Sequence, residues 1–313
     1  MKVFAQAGDE NHAIVYLAKN SAGDVVEFVE SVQPPIPRSK KWVIIVSSLV
    51  GCPVGCPICD AGGFYRGKLS ADDILAQIDH AVDTRFPGRA VPVKKFKIQF
   101  ARVGEPALNP ALLDVLEELP RRYSAPGLMP TISTVAPSGC GDFFERVIEI
   151  KNRLYFGGNF LLQFSIHSTD SAQRDRLIPI KKWDFRQIAE FSARFYENGD
   201  RKITLNFAPA LDTIIDPQIL LEHFDPAMFL IKITPINPTF SARKSNLATL
   251  IDTEESAQGG IIARLRSAGY DVILSIGNLE ENLIGSNCGQ FIMKFMSEKS
   301  ALDGGYTYEL RET

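Results

Sequence analysis

The sequence predicts an α/β fold: a partial (β/α) barrel of about six parallel strands, preceded by an N-terminal β-hairpin. From Phe96 onward, short β-branched or aromatic runs alternate with longer amphipathic segments, which is typical of parallel strands joined by helices. The 313 residues are 45% hydrophobic and 23% charged, close to the average for globular proteins. No apolar stretch approaches the roughly 18 residues that a membrane span needs. We therefore expect a folded domain with no membrane segment.

The predicted strands and helices follow one another in regular alternation. The strands are Trp42–Ser48, Phe96–Arg102, Pro130–Val135, Leu161–His167, Lys202–Ala208, Phe229–Thr234 and Asp271–Ile276. The helices are Ser70–Val82, Pro110–Leu119, Asp142–Lys151, Asp184–Asn198 and Thr253–Ala268. Ser70 with Asp73 is typical of a helix N-terminus. In barrel enzymes the carboxyl ends of the strands carry the active site, so residues at those ends are the candidates.

The N-terminal extension is predicted from two apolar runs, His12–Tyr16 and Val25–Ser31, on either side of a polar loop. The Pro-rich segment 33–41 then links this hairpin to the barrel, and its stiffness favours a fixed placement. We expect three parts: residues 1–41 as extension and linker, 42–295 as the barrel, and 296–313 as a C-terminal tail.

The net charge and the N-terminal sequence bear on the class of partner and on the cellular compartment. Lys and Arg total 34 against 37 Asp and Glu, a net charge of −3, so the chain as a whole lacks the basic surface typical of nucleic-acid binding. No secretory signal is visible near Met1. We expect a cytoplasmic, reducing environment, where clustered thiols more often bind metal or perform redox chemistry than form structural disulfides.

Three of the five cysteines, Cys52, Cys56 and Cys59, lie in a Gly- and Pro-containing loop after the first barrel strand. Three thiolates on one loop suit an iron–sulfur cluster or a zinc ion. Structural zinc needs a fourth ligand, for which the nearest candidate is His80 on a predicted helix. A dithiol redox pair of Cys56 and Cys59 is a further alternative, but it leaves Cys52 unexplained.

The three-cysteine loop resembles that of the radical S-adenosylmethionine (SAM) superfamily. The resemblance implies a [4Fe–4S] cluster on Cys52, Cys56 and Cys59, with one iron open to the amino and carboxylate groups of SAM. The superfamily usually has an aromatic residue just before the third cysteine, and this chain has Ile58.

Further motifs resemble the RlmN/Cfr family, whose members methylate C2 or C8 of an adenine in RNA. In order they are 46–52 (VSSLVGC), 63–69 (GFYRGKL), 104–109 (GEPALN), 133–137 (STVAP), 165–167 (SIH), 174–180 (RDRLIPI), 235–238 (PINP) and 288–290 (CGQ). The similarity extends over roughly residues 12 to 291. It implies that Cys288 accepts a methyl group from one SAM before a second SAM generates the 5′-deoxyadenosyl radical.

The same resemblance implies SAM-binding residues near the strand ends. They are Gly104, Glu105, Ser133, Ser165, His167 and Asn237. A carboxylate at Glu105 can hold the ammonium group of SAM, and hydroxyl groups can reach its ribose or carboxylate.

The sequence departs from the family at several positions. Seven residues before Cys52, where the family has a cysteine that resolves the enzyme–RNA adduct, this chain has Ile45. Cys140, in the loop after a predicted strand, is a candidate replacement. Glu30 corresponds loosely to an acidic residue assigned as a proton acceptor. The family also has a helical RNA-binding domain before the hairpin, where about 11 residues stand here.

We therefore expect a radical SAM enzyme that methylates an electron-poor carbon through a methyl group on Cys288. One alternative is an offshoot that uses the 5′-deoxyadenosyl radical for another reaction on a small molecule or peptide. A second alternative is a non-catalytic iron–sulfur protein that associates with RNA or has a regulatory role. A flavodoxin or ferredoxin is the expected electron donor, and RNA, a small molecule or a peptide the substrate.

Overall fold

The computed structural model describes residues 1–251, 260–298 and 300–313. The strands are β1 (Lys2–Gly8), β2 (Ala13–Lys19), β3 (Val25–Ser31), β4 (Lys41–Val46), β5 (Leu49–Gly51), β6 (Tyr65–Lys68), β7 (Lys95–Phe100), β8 (Leu128–Thr134), β9 (Leu161–Ser165), β10 (Ile203–Phe207), β11 (Phe229–Ile233), β12 (Asp271–Leu274) and β13 (Arg311–Glu312). The helices are α1 (Ala71–Arg85), α2 (Ala111–Arg122), α3 (Gly141–Leu154), α4 (Ser171–Leu177), α5 (Phe185–Phe195), α6 (Pro217–Leu221), α7 (Phe240–Lys244), α8 (Ile261–Ser267), α9 (Leu279–Ile284) and α10 (Ile292–Glu298).

One large sheet organises the molecule, in the order β12-β11-β10-β9-β8-β7-β4-β3-β2-β1-β13. The strands from β4 through β12 in this order pair in parallel, and helices connect successive strands. Every barrel strand expected from the sequence is present, so the α/β fold with a largely parallel sheet is confirmed. The parallel part contains seven strands within the described residues, one more than the approximate six expected.

The two faces of the parallel strands differ because successive side chains of a strand point to opposite sides. On β7, Phe96, Ile98 and Phe100 are buried against the helices, whereas Lys95, Lys97 and Gln99 face the interior of the curved sheet. The same alternation repeats on the neighbouring strands. The apolar face forms the main core with the helices, and the polar face lines a cavity.

The N-terminal hairpin is confirmed as β2 and β3, but it is part of a larger antiparallel unit. β1 pairs with β2, and β3 pairs with β4, which joins the extension to the barrel sheet. β13, in the predicted tail, pairs with β1. The sequence analysis missed both outer strands, since their pairing joins the two ends of the chain.

The helices agree with the sequence in type and approximate position. Ser70 is the N-cap of α1 and accepts a hydrogen bond from the Asp73 backbone N–H at 3.1 Å, as expected. Of the predicted helix Thr253–Ala268, residues 253–259 lie outside the described residues, and α8 accounts for the remainder. No helix in the described part of the chain is long and apolar enough to cross a membrane.

Candidate active site

The three-cysteine loop is held between two short strands that the sequence analysis did not predict. β5 and β6 pair as an antiparallel ribbon, and residues 52–64 form the loop between them. The Cys52 backbone N–H donates to the Phe64 carbonyl oxygen at 3.0 Å, which closes the loop at its base. The cysteines therefore follow β5 and not the first barrel strand itself, which ends at Val46. This ribbon fixes where the loop begins and ends.

The cysteine thiols lie in a largely buried setting. Burial raises the pKa of Cys52 to about 11, and burial together with the charge of Cys52 raises the pKa of Cys59 to about 12. The pKa of Cys56 is also raised well above its ordinary value, by burial and by the charge that Cys59 and Cys52 would carry when ionised. These groups are thiols at neutral pH, so a metal must displace their protons to bind them. Within the described residues, no group of three or more His, Cys, Asp or Glu side chains is arranged to hold a single metal ion.

A second loop carries Cys288 to the same place. The Asp60 backbone N–H donates to the Gly289 carbonyl oxygen at 2.8 Å, which ties the residue after Cys59 to the residue after Cys288. The Asn237 side-chain amide donates to the Cys288 carbonyl oxygen. The Cys288 side chain is exposed, and its thiol donates to the Ala101 carbonyl oxygen at 3.3 Å. Cys288 is thus an accessible thiol next to the three-cysteine loop.

A buried ion pair supports the Cys288 loop from below. Arg102 and Glu27 pair through side chains that are fully buried. The Arg102 guanidinium also donates to the carbonyl oxygens of Asn287 and Gly285, each at 2.7 Å. Glu27 accepts a hydrogen bond from the Ile292 backbone N–H at 2.7 Å. The pair therefore holds the chain on both sides of Cys288.

Asp60 performs a similar structural task at the other loop. Its carboxylate accepts hydrogen bonds from the backbone N–H groups of Phe240 and Ser241, at 3.0 and 2.7 Å, in the first turn of α7. It also accepts from the Tyr306 hydroxyl at 2.8 Å. A buried carboxylate with three donors is well stabilised, and here it connects the cysteine loop with α7 and the C-terminal segment.

Gly104 and Glu105 follow β7 at its carboxyl end. Gly104 has φ +105, and a Cβ atom there would lie 2.6 Å from Leu49 Cβ and 2.9 Å from the Leu49 backbone nitrogen. Only glycine fits this backbone beside the start of β5. The missing side chain thus accommodates Leu49; its expected role in the approach of SAM stays a prediction.

The Glu105 carboxylate is buried and is held by uncharged donors alone. Its oxygens accept from the Val135 backbone N–H at 2.9 Å, the Ala107 backbone N–H at 3.0 Å and the Thr134 hydroxyl at 2.5 Å. Burial raises the pKa of Glu105 to about 7. A ligand with a positive charge would lower that pKa and stabilise the ionised form.

The remaining predicted SAM contacts lie along the neighbouring strands. Ser133 accepts a hydrogen bond from the Gln163 amide at 3.3 Å, and Ser165 ends β9. His167 has a positive φ of 62 and is buried, and its Nδ1 accepts from the Ala208 backbone N–H at 3.2 Å. Burial and the charge of Arg174 lower the pKa of His167 to about 4, so its ring is neutral. Its proton then lies on Nε2, which leaves that nitrogen as a hydrogen-bond donor.

A single cavity of about 1190 Å³ brings these groups together. All the predicted metal ligands and SAM-binding residues line it, as do Cys288 and Ile45. In the sheet, Ile45 is opposite Val29 on β3 and Gln99 on β7. Its aliphatic side chain offers no polar group to the cavity at this position. Ser133, Ser165 and His167 lie at or just after the ends of β8 and β9, whereas the cysteines and Asn237 lie in loops and Ile45 lies within β4.

Two other predicted residues lie apart from this set. Cys140 is the N-cap residue of α3, packs against the main core and is not among the residues that line the cavity; burial raises the pKa of its thiol. Glu30 is buried on the helix face of β3, bound by Tyr16, Trp42 and Arg85. The structure therefore gives Glu30 a structural environment and does not place it beside Cys288.

Sequence reasoning missed several residues that shape the site. Arg102, Glu27 and Thr134 act through contacts between distant parts of the chain, for which the sequence carries no local signal. The sequence did contain a local signal for Lys97 and Lys232. Each is a lysine between two apolar residues of a strand. In a strand with one buried face, such alternation marks the side chains that face away from the core.

The comparisons with known proteins gave relatives over most of the chain, while no family model matches. The chain is 26% identical over 270 residues to "Probable dual-specificity RNA methyltransferase RlmN" of Acidothermus cellulolyticus, covering 81% of this chain and 58% of that protein. It is 26% identical over 307 residues to "Dual-specificity RNA methyltransferase RlmN" of Wolinella succinogenes, covering 92% of this chain and 83% of that protein. A radical SAM methyltransferase structure from Sphaerobacter thermophilus superposes with a TM-score of 0.69 at 20% identity, covering 93% of this chain and 81% of that one.

Proposed function

We propose that the chain methylates an electron-poor carbon through a methyl group carried on Cys288. It would do so with a [4Fe–4S] cluster and two molecules of SAM. The proposal starts from the comparisons, which confirm the resemblance to the RlmN/Cfr-like radical SAM family and the expectation of a radical SAM enzyme. The accessible thiol of Cys288, bound through Gly289 to the residue after Cys59, is the observation that carries this proposal.

The three clustered cysteines are the proposed cluster ligands. They share one short loop and line the same cavity, and the Cys59 backbone N–H donates to the Cys56 carbonyl oxygen at 3.1 Å. The charge of Cys52 also raises the pKa of Cys56 and Cys59. A four-iron cluster suits this donor set, because each thiolate binds a different iron and one iron stays open. When bound, the cluster would supply the electron for reductive cleavage of SAM.

The buried carboxylate of Glu105 is the proposed partner of the SAM ammonium group. Its present donors are neutral, so a cation would find a carboxylate already oriented by three hydrogen bonds. Ser133 on β8, Ser165 at the end of β9 and the Nε2–H of His167 just after it would offer hydrogen bonds to the polar parts of SAM. Asn237 would fix the adenosine portion while its amide also contacts the Cys288 carbonyl oxygen.

Cys288 is the proposed methyl carrier because its thiol combines access with a fixed position. Its carbonyl oxygen, its thiol and the next residue's carbonyl oxygen are each bound to a different segment. A reacting group held in this way loses little further freedom when the substrate arrives. A flavodoxin- or ferredoxin-type protein is the proposed electron donor.

A second candidate function follows from Ile45. This side chain lines the cavity and cannot form the disulfide that, in the resemblance, releases the product from the enzyme. An offshoot that uses the 5′-deoxyadenosyl radical for a different transformation, without a covalent adduct on Cys288, needs no such cysteine.

The two candidates and a non-catalytic role are separated by one set of assays. Anaerobically reconstituted protein with reductant and SAM is expected to form 5′-deoxyadenosine, and Cys52→Ala to lose both bound iron and this product. Cys140→Ala is the matched control, because it removes a thiol outside the cavity. An intact cluster without SAM cleavage would contradict both enzymatic candidates.

Mass spectrometry of the Cys288 peptide from protein made in cells distinguishes methylation from the offshoot. The proposal expects an added methyl group on Cys288. An unmodified Cys288, together with full SAM cleavage and substrate turnover in Cys288→Ala, would favour the offshoot.

A further inference from the structure

The interior wall of the barrel is strongly basic, although the chain as a whole is acidic. Besides Arg102, which is paired with Glu27, six cationic side chains line the cavity: Lys41, Lys95, Lys97, Arg201, Lys202 and Lys232. Three carboxylates line it as well, those of Glu105, Asp271 and Glu281. Set against a net charge of −3 for the whole chain, these cations place positive charge inside the molecule, where it is costly.

Some of these cations have partners in the protein. Lys202 forms an ion pair with Asp271 at 2.6 Å, Arg201 donates to the Gly158 carbonyl oxygen at 2.9 Å, and Lys41 donates to the Gln33 amide oxygen. Among the described residues, the ammonium groups of Lys97 and Lys232 have neither an ion pair nor a hydrogen bond.

Lys97 lies in the middle of β7, and Lys232 is the residue before the last of β11. Lys97 is opposite Val43 and Met129 in the sheet, and Lys232 is opposite Asn206 and Ile273. Both side chains line the cavity on the interior side of the sheet.

Lys97 and Lys232 line the same cavity. Burial, then the charge of Lys232, lowers the pKa of Lys97 to about 7, and burial also lowers the pKa of Lys232. The charge of Cys288 opposes both pKa shifts, and that of Glu281 opposes the shift of Lys232. All four residues line the same cavity. The charges of the two lysines repel each other, and burial makes each charge costly. These ammonium groups therefore do not stabilise the fold.

We propose that the acceptor substrate is a small anionic molecule whose carboxylate or phosphate binds Lys97 and Lys232 inside the barrel, with its reacting carbon toward Cys288. This inference rests on the proposed function, since it assigns the substrate class of the same site. Glu281 lines the same cavity and its charge acts on Lys232. An anion would add counter-charge at Lys232 and supply it at Lys97.

The size of the cavity agrees with a second bound molecule. Single-ligand sites have volumes of about 300–1,000 Å³. The cavity of about 1190 Å³ exceeds that range and extends along the strands from the cysteine loops to the lysines. A small molecule can occupy the lysine end while SAM lies at the cysteine end.

The test measures anion binding to the reconstituted protein in the presence of SAM. Inorganic phosphate and succinate serve as probes by calorimetry, with a single-stranded RNA oligonucleotide as a third arm. Lys97→Gln and Lys232→Gln are each expected to weaken binding of phosphate or succinate at least about tenfold. Lys94→Gln is the matched control, because Lys94 neighbours the same strand but is exposed and outside the cavity lining. Lys97→Arg keeps the charge and is expected to retain binding.

Each outcome decides the inference. Equal probe affinity in Lys97→Gln, Lys232→Gln and Lys94→Gln would overturn it, as would binding of the RNA oligonucleotide, but of neither small anion, through these two lysines. The parent protein's formation of 5′-deoxyadenosine is measured separately. Cleavage of SAM without lysine-dependent anion binding would refute only this inference. Lysine-dependent binding without cleavage would refute the proposed function and leave an anion site.

Discussion

Arg102 and Glu27 form a buried ion pair beneath the loop that carries Cys288. Because Arg102 also binds two carbonyl oxygens of this loop and Glu27 binds the Ile292 backbone N–H, the pair connects β3 and the segment after β7 to the chain before and after the thiol. The loop that carries Cys288 is thus held through two charges that are removed from water.

Arg102→Met is expected to destabilise the fold by about 3–5 kcal/mol, since it leaves the Glu27 carboxylate buried without its partner. Hydrogen exchange of residues 285–292 should accelerate because the loop carbonyl groups lose their donor. Urea unfolding and exchange mass spectrometry measure the two effects. Arg194→Met is the control: it breaks an exposed pair with Glu145 and should cost at most about 1 kcal/mol. Unchanged exchange in 285–292 would contradict the role of Arg102 as a positioning residue.

Gly104→Ala is expected to cost more than about 3 kcal/mol of unfolding free energy, because the new Cβ would clash with Leu49 in addition to the strain of a positive φ. Gly139→Ala is the matched control. Gly139 also has a positive φ, of 86, but a Cβ there meets no atom within 4 Å, so about 1–2 kcal/mol of backbone strain is expected. Similar losses in the two variants, measured by urea unfolding, would show that Leu49 does not restrict this position.

Glu30→Gln is expected to reduce stability by on the order of 2 kcal/mol and to leave SAM cleavage per folded molecule unchanged. The carboxylate binds Tyr16, Trp42 and Arg85, and none of these residues lines the cavity. Glu10→Gln removes the other, exposed carboxylate that binds Arg85, and should cost less than about 1 kcal/mol. A large loss of cleavage without a loss of stability would instead support the proton-acceptor role.

The barrel strands could be predicted because their signal is local. Each has β-branched or aromatic residues at alternate positions, and these form the buried helix face. The predicted strands extend too far at their carboxyl ends, where the backbone leaves the sheet to build the site. His167, with its positive φ, is one residue that the pattern assigned to a strand and that the structure places two residues beyond the end of β9.

The rest of the site depends on contacts between distant segments. The cysteine spacing predicted the loop, but its closure by β5 and β6 requires pairing across the cysteines themselves. Arg102 and Glu27 are 75 residues apart in the chain, and β1 and β13 lie at opposite ends of it. Such pairs have no periodicity or spacing that a single sequence shows.

Lys97→Met is expected to stabilise the protein at pH 7, with a gain that shrinks as the pH rises toward 10.5. Burial and the charges of Lys232, Lys41 and Lys95 lower the pKa of Lys97 to about 7 from an ordinary value of 10.5, while Cys288 opposes the shift. Between these two values the unfolded chain binds a proton that the folded protein lacks, so the stability of the parent rises with pH. Below pH 7 the full cost of the buried ammonium group is present. Methionine removes the charge and fills a similar volume, so the variant lacks this slope.

Urea unfolding of Lys97→Met and the parent between pH 6 and 10 measures the effect, and Lys94→Met is the control because that side chain is exposed. The control should follow the parent at every pH. Parallel curves for Lys97→Met and the parent would mean that the Lys97 ammonium group is hydrated in the cavity. If the unfolding free energies of Lys97→Met and the parent converge as the pH rises, the protein retains a destabilising charge inside its barrel. Such a charge is expected of a group that is kept for binding and not for folding.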